Sequence, residues 1–306
     1  MDRLFTYNPT ITLNQSLMSQ TVLFTVVYPG CEPYLEQFFS SVKVQDTDGF
    51  ELMVLNDGLE TLEKYTGGLR NRMEEIPVSG SIAEIRRRGI QLLMDRPFSK
   101  IIFTDADDYI SPNRIRMASD ALDRNDIYVN DLTTVSNNKK TITDHYLAKR
   151  LDNSFKVAPE YILEKNILGL GNTSIRQSTL RDIPIPSGTI AVDWMIFTDM
   201  LLRGASAIFK TDSVSFYRQH EQNTIGLKNL SIKKINHCIT VQIQNATFFA
   251  DRSDSHKNHL DKLLELKAFL ADNNHNIHAY KQKVEEILPD YPLWWEEIQT
   301  LDQLSL

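Results

Sequence analysis

The order of apolar and polar positions divides the chain in two. Up to about residue 220, short apolar runs alternate with stretches of helical period; beyond that point only the helical period remains. "TVLFTVVYPG" is an almost unbroken β-branched and aromatic run ending in Pro29-Gly30, the pattern of a strand covered on both faces. In "EPYLEQFFSSV", Leu35, Phe38, Phe39 and Val42 share one helical face, and Pro33 suits the first turn. "FELMVLNDG" predicts a second strand closed by a turn signal, and "EEIPVSG" a short third. "SIAEIRRRGIQLLM" opens with a capping-box pair, Ser81 and Glu84, and carries Ile82, Ile85, Ile90 and Leu93 at helical spacing. "KIIFTDADD" is the next strand. "SPNRIRMASDAL" predicts a helix with Ser111 as N-cap and Pro112 in its first turn, and "DIYVNDLTTV" a further strand.

Alternation of this kind predicts an α/β fold with a largely parallel sheet and helices on both faces. Ligands of such sheets sit beyond the carboxyl ends of the strands, where "LNDG" and "TDADD" both fall. The remainder is helical. "LSIKKINHCITVQIQNATFF" spaces Ile232, Ile235, Ile239, Ile243, Ala246 and Phe249 on one face, and "HLDKLLELKAFLADNN" does the same with Leu260, Leu263, Leu264 and Leu270. A third helical region, "AYKQKVEEILPDYPLWWEEIQTL", is interrupted by Pro289 and Pro292. A boundary is expected near residue 226, giving units 1–226 and 227–306.

Composition narrows the picture. Hydrophobic residues at 42% and charged residues at 24% describe an ordinary globular chain. A net charge of -7 and a pI near 5.5 lack the basic footprint of a general nucleic-acid binder. The two cysteines, Cys31 and Cys238, are too far apart in sequence for a Cys metal motif or a disulfide framework, so a reduced, cytoplasmic setting is expected. The first twenty residues have no continuous apolar core, so no signal peptide is expected, and no run approaches the roughly 20 apolar residues of a membrane span.

The candidate chemistry lies in "IIFTDADDYI". Asp105, Asp107 and Asp108 repel one another unless a positive charge sits among them. They form either a solvated turn or a metal site at the end of a buried strand. In extended geometry Asp105 and Asp107 point the same way and reach one cation. Hard divalent ions take few protein carboxylates and complete their shell with water and phosphate oxygens, so a diphosphate is the natural partner.

Six segments together resemble the family 2 inverting glycosyltransferases of the GT-A fold. "LNDG", "SIAEIRRRGI" and "IIFTDADDYISPNRI" look like that family's V-D-D-G, A-R-N-x-G-I and L-D-A-D-D segments. "GNTSIRQSTL" resembles its acceptor-side loop, "VDWMIFTDMLLRG" its E-D-W-x-L-x-x-R-x-x-x-x-G helix, and "SFYRQHEQNTIG" its Y-R-x-H-x-x-N segment. The resemblance spans roughly residues 21 to 226. It implies a GT-A, Rossmann-like mixed, mostly parallel sheet flanked by helices, with a C-terminal helical extension outside it. It implies transfer of a sugar from a nucleotide-sugar donor, UDP-linked by expectation, to a saccharide or lipid-linked acceptor, with Mn²⁺ or Mg²⁺ as cofactor.

Site roles follow the resemblance residue by residue. Asp57 matches the acid that contacts the nucleotide, against the alternative of an Asp-Gly turn. Arg86 matches an arginine near the nucleotide, against a solvated helix face. Asp105 and Asp107 match the metal and ribose acids, and Asp108 has no assigned role. Asp193 matches the general base, against a helix cap. His220 matches a histidine that in some members completes the metal shell or touches the diphosphate, against a surface residue. Arg218 is a phosphate partner or a structural ion-pair partner, and Trp194 either stacks on a sugar or packs in the core. Two departures stand out: Val192 replaces the usual acid before the base, and Gly30 replaces the usual Asn after the first strand.

Competing readings are a GT-A module that binds sugar nucleotide or scaffolds an assembly without catalysis, and a haloacid-dehalogenase-like phosphatase with Asp105 as nucleophile. The two tryptophans of "YPLWWEEI" serve either as a peripheral membrane anchor, at the inner face of a membrane carrying a lipid-linked acceptor, or as packing against the catalytic unit or a second subunit.

Overall fold

The first apolar run becomes a strand in which every residue is buried, because it lies in the interior of a sheet covered on both faces. The computed structural model describes residues 20–219 and 230–304. Strands β1 (Thr21–Val27), β2 (Glu51–Asn56), β3 (Met73–Pro77) and β4 (Lys100–Phe103) are mutually parallel, in spatial order β3-β2-β1-β4. Strands β5 (Tyr109–Ile110), β6 (Ile127–Ser136), β7 (Thr141–Thr143), β8 (Thr173–Arg176) and β9 (Ala207–Gln219) extend it to a nine-stranded mixed sheet. Here β8 inserts antiparallel between β4 and β6, β9 runs parallel to β6, and β5 pairs antiparallel with β9.

The strands' alternation splits their side chains between two cores. Leu23, Val27, Leu52, Val54 and Ile102 face helix α1 (Glu32–Lys43), with its Leu35, Phe38 and Phe39, together with Leu62 just before the single turn of α2 (Glu63–Thr66). Val22, Phe24, Val26, Met53, Leu55 and Phe103 face the other way, towards α3 (Ile82–Met94). Helix α4 (Arg114–Leu122) joins the first core, and α5 (Val192–Leu202) the second. Gly89 of α3 lies so close to the sheet that a Cβ there would meet Phe24 Cζ at 2.6 Å. That close approach explains the glycine in "RRRGI".

The Ser81–Glu84 capping box forms in full at the start of α3. Two expectations for the helices change. Ile82 is 71% exposed, because it lies at the first helical position and points away from the sheet; Ala83 takes its place in the core. The next helix begins at Arg114, not around Pro112, and Ser111 does not cap it. The Ser111 hydroxyl is diverted to the sheet, accepting from the Val214 amide at 3.1 Å and donating to Asn113 Oδ1 at 2.8 Å.

The C-terminal part forms α6 (Ile232–Phe249), α7 (Asp254–Asp272), α8 (Asn274–Ile287) and a final turn α9 (Leu301–Leu304). Helix α8 stops ahead of Pro289, as the proline requires. Leu264 is 48% exposed, so Leu266 rather than Leu264 contributes to the α7 core face.

The segment after α8 lies against the sheet-bearing part of the chain. The Arg150 guanidinium grips both oxygens of Glu296 at 2.8 and 3.0 Å, Tyr146 Oη donates to the Pro292 carbonyl at 2.6 Å, and the Asn166 amide donates to the Trp294 carbonyl at 2.7 Å. Trp294 and Trp295 belong to the same apolar cluster as the sheet and are 8% and 6% exposed. They are therefore packed inside the chain and not displayed as a lipid anchor. No helix among the described residues is long and apolar enough to cross a membrane.

Candidate active site

The acidic cluster is a turn, not an extended segment. After β4 the Thr104 amide still bonds to the Phe24 carbonyl, but the Asp108 amide then folds back to the Asp105 carbonyl at 3.2 Å, and β5 begins at Tyr109. The alternation argument for Asp105 and Asp107 therefore gives way to turn geometry, which sends the three carboxylates to three environments. Asp105 accepts from Arg86 Nη2 at 3.2 Å. Asp107 accepts from Tyr28 Oη at 3.2 Å. Asp108 turns inward, is 1% exposed, and accepts from the Arg218 amide at 2.8 Å, while its Oδ2 has no partner among the described residues.

Crowding shows in the electrostatics. Burial raises the Asp105 pKa; the charge of Asp107 adds to the rise and Arg86 opposes it. Burial, then the charges of Asp107 and Asp105, hold Asp108 well above the usual carboxylate range. Tyr28 is pushed up by burial and by the charges of Asp107 and Asp105, so its hydroxyl remains a donor through the physiological range.

Arg218 resolves in favour of a structural role. Its Nε donates to the Asp107 carbonyl at 2.8 Å and Nη2 to Gln37 Oε1 at 2.7 Å, while Nη1 reaches the Ser136 and Asn137 carbonyls at 3.4 and 3.2 Å. The guanidinium is 1% exposed and lies 4.7 Å from the Tyr34 ring centroid. It holds the acidic turn from behind, and its bonded, buried head is not displayed to a phosphate.

Asp193 stands in the first turn of α5, with Ala191 as the cap residue. Its Oδ1 accepts from the adjacent Trp194 amide at 2.8 Å, which is not the contact of a helix N-cap side chain. Burial raises its pKa to about 6; the Asp105 charge adds to the rise, while the Trp194 amide bond and Arg86 oppose it. Trp194 is fully buried, with its indole N–H donated to the Ile162 carbonyl at 2.7 Å. It belongs to the core and presents no face to a sugar. Asp57 lies half-buried at the end of β2, its amide bonded to the Val27 carbonyl at 2.9 Å, beside Gly58 at φ +91°. His220 lies outside the described residues.

Asp105 and Asp193, far apart in sequence, line one cavity of about 120 Å³. Gly171, Asn172, Tyr217 and Trp294 line it as well. Asn172 knits the cavity's loop together, accepting from the Gly169 amide at 3.0 Å and donating to the Asn130 and Ile167 carbonyls at 3.2 and 3.1 Å. Arg86 acts electrostatically on both acids. Sequence reasoning missed Tyr28, Gly171, Tyr217 and Trp294 as site residues. Gly171 lies in the "GNTS" segment and Tyr217 in the "SFYRQH" segment, while the places of Tyr28 and Trp294 at the site follow from long-range packing.

The donor set suits a hard divalent cation. Asp105 and Asp107 supply hard oxygen donors, and the charges of Asp107 and Asp105 add to burial in raising the acids around the turn. Among the described residues no three His, Cys, Asp or Glu side chains converge to hold a metal by themselves.

Comparison of the sequence with protein-family descriptions and with curated proteins gives no match. Solved structures do match. S. aureus TarS aligns with TM-score 0.57 at 17% identity, covering 80% of this chain and 42% of TarS. TarS 1-349 in complex with UDP-GlcNAc aligns with TM-score 0.57 at 17% identity, covering 80% of this chain and 70% of that one. GalNAc-T7 with UDP, GalNAc and Mn2+ aligns with TM-score 0.52 at 15% identity, covering 83% of this chain and 55% of that one. The fold is that of the GT-A glycosyltransferases. This chain thus spans about two fifths of the length of that TarS chain. In this fold the acidic turn follows the fourth strand of the chain, not the first, which removes the reading of Asp105 as the nucleophile of a haloacid-dehalogenase-like fold.

Proposed function

We propose that this chain is a glycosyltransferase of the inverting, family 2 type, moving a hexosyl group from a UDP-sugar to a hydroxyl of a saccharide or lipid-linked acceptor. The observation that carries the proposal is the meeting of Asp105 and Asp193 at one cavity on a GT-A fold. The TarS and GalNAc-T7 structures, which hold UDP-GlcNAc in one case and UDP, GalNAc and Mn2+ in the other, support a nucleotide-sugar donor.

Asp193 takes the proton from the acceptor hydroxyl as that oxygen bonds to the anomeric carbon. The bond from that carbon to the diphosphate breaks on the opposite face, and the diphosphate leaves with the electron pair. A carboxylate with a pKa of about 6 is ionised at neutral pH and still basic enough to accept the proton. Arg86 holds Asp105 in place, and Tyr28 orients Asp107. Asp105 and Asp107 would hold Mn²⁺ or Mg²⁺, which offsets charge on the leaving diphosphate.

The test is turnover of UDP-sugars with Mn²⁺, wild type against Asp193→Asn. The variant is expected to keep UDP binding and lose transfer and hydrolysis. Wild-type rates in the variant remove Asp193 as the base. Metal-dependent UDP binding by wild type with no turnover on any acceptor identifies a binding module instead.

A further inference from the structure

We propose that Trp294, from the C-terminal segment, forms the wall of the subsite for the transferred sugar and hydrogen-bonds to that sugar through its indole N–H. The inference rests on the nucleotide-sugar reading above and adds a residue to it from outside the sheet-bearing part of the chain.

The central observation is an unpaired donor. Trp294 is 8% exposed, and among the described residues its Nε1–H has no acceptor. Buried tryptophan N–H groups ordinarily find a partner, and leaving one unmade costs about 1–3 kcal/mol. Trp194 shows the ordinary case in this same chain, with its N–H on the Ile162 carbonyl. Trp294 differs because it borders the cavity that Asp105 and Asp193 share.

The ring is held firmly. Its carbonyl accepts from the Asn166 amide, and the Leu293 amide before it donates to Glu296 Oε2 at 2.7 Å. Tyr217 meets the ring edge-on, with centroids 6.0 Å apart and planes at 85°. The far edge of the ring lies against Gly169, where a Cβ would stand at an ordinary contact distance of 3.6 Å from it. Trp295 adopts φ +68°, a left-handed conformation that costs a non-glycine residue about 1 kcal/mol or more. The two adjacent rings thereby pack on different elements, Trp294 towards Tyr217 of β9 and Trp295 towards His237 of α6. Trp294 thus joins the core with one part of its ring and borders the two acids' cavity with another, and its N–H is left for a ligand to satisfy.

The chemistry selects a neutral, hydroxylated ring. A sugar offers C–H groups to the indole, a hydroxyl oxygen to its N–H, and hydroxyl protons to Asp105 and Asp193. A phosphate would face both carboxylates at close range. A volume of about 120 Å³ suits part or all of one sugar ring, well below the ~300 Å³ and upwards of a site enclosing a whole cofactor-sized ligand.

The experiment measures Kd by calorimetry with Mn²⁺ for UDP, UDP-GlcNAc and UDP-glucose, on wild type, Trp294→Phe and Trp294→Ala. Thermal melts verify that each is folded; the Phe variant keeps most of the packing if the Ala variant does not fold. UDP affinity is expected to stay within about twofold in the variants, because UDP lacks the sugar. The Kd of whichever UDP-sugar wild type binds is expected to rise about fivefold in Trp294→Phe, the loss of one hydrogen bond, and further in Trp294→Ala. UDP-sugar affinity unchanged in both variants, or a rise confined to the KM of an acceptor, overturns the assignment while leaving the nucleotide-sugar reading in place. Wild type that binds neither UDP nor either UDP-sugar overturns both.

Discussion

Gly171 touches Asp105 so closely that a Cβ at that position would stand 2.9 Å from Asp105 Oδ2. The same Cβ would lie 3.2 Å from Asp108 Oδ2. Asp108 is buried and Asp105 half-buried, and each carboxylate is tethered through its Oδ1, by the Arg218 amide and by Arg86, so neither retreats freely. Gly171→Ala is therefore expected to displace Asp105 and to destabilise the protein by about 1–3 kcal/mol through overpacking. Steady-state kinetics and thermal melts check it. A variant with wild-type melting temperature and kcat/KM shows that the loop moves aside at no cost.

The position of Asp193 beside Asp105 gives the activity a pH limb. The base works only when ionised, so kcat/KM is expected to rise with pH and level off above about 6, or lower where a bound cation favours the carboxylate. Stability runs the other way. The folded pKa of about 6 exceeds the ordinary value of 3.8, so the folded state binds the extra proton. The contribution to stability is fully present below 3.8 and is lost as pH rises through about 6. Asp193→Asn removes that loss. Its melting temperature relative to wild type is expected to be higher at pH 8 than at pH 4.5, and a constant difference across that range contradicts the raised pKa.

Much of this arrangement was readable before the fold was known, and the division has a physical cause. Elements set by local periodicity came through: β1, β2, β4, α1, the capped α3 and the three long C-terminal helices. The acids Asp105 and Asp193 were picked out by segment order, and the fold brings them to one cavity. What failed depended on contacts distant in sequence. Ser111 looked like a cap until Val214 of β9 claimed its hydroxyl. Arg218 was readable either as a phosphate partner or as a structural one, and only the carbonyls from the acidic turn and the β6–β7 connection that surround it favour the second. Trp294 stood out only as one of a tryptophan pair, because its place at the cavity arises only once residues 291–296 lie across Asn166 and Arg150.

Asp107 is the acid expected to matter most for metal. Its Oδ2 already has the Tyr28 hydroxyl as an orienting donor. With Mn²⁺ and UDP at about 100 times Kd, binding is expected to stabilise wild type by about 2.7 kcal/mol, read as a rise in melting temperature. Chelation with EDTA, or Asp107→Asn in the presence of Mn²⁺, is expected to remove most of that rise. A UDP-induced shift that survives both shows nucleotide binding without a cation at this turn.

The C-terminal helices contain an acid-sensitive pair. His256 is 2% exposed, takes Ser253 Oγ at 2.9 Å on Nδ1, and has no partner on Nε2 among the described residues. His259 lies one turn on, 4% exposed, with Nε2 3.0 Å from Gln242 Oε1. Gln242 in turn donates to the Trp295 carbonyl at 2.9 Å, next to Trp294. Burial lowers the His256 pKa to about 4, helped by the charge of His259 and opposed by Glu160. Burial lowers His259 too, against the pull of Glu164. The unfolded chain therefore binds more protons than the folded one between about 4 and 6.5, so stability falls as pH drops through that window. His256 alone accounts for about 3 kcal/mol of that loss. Denaturant unfolding at pH 7 and pH 4.5 should show a smaller loss in His256→Leu than in wild type. Equal losses in the two proteins would mean that His256 is already protonated in the folded state.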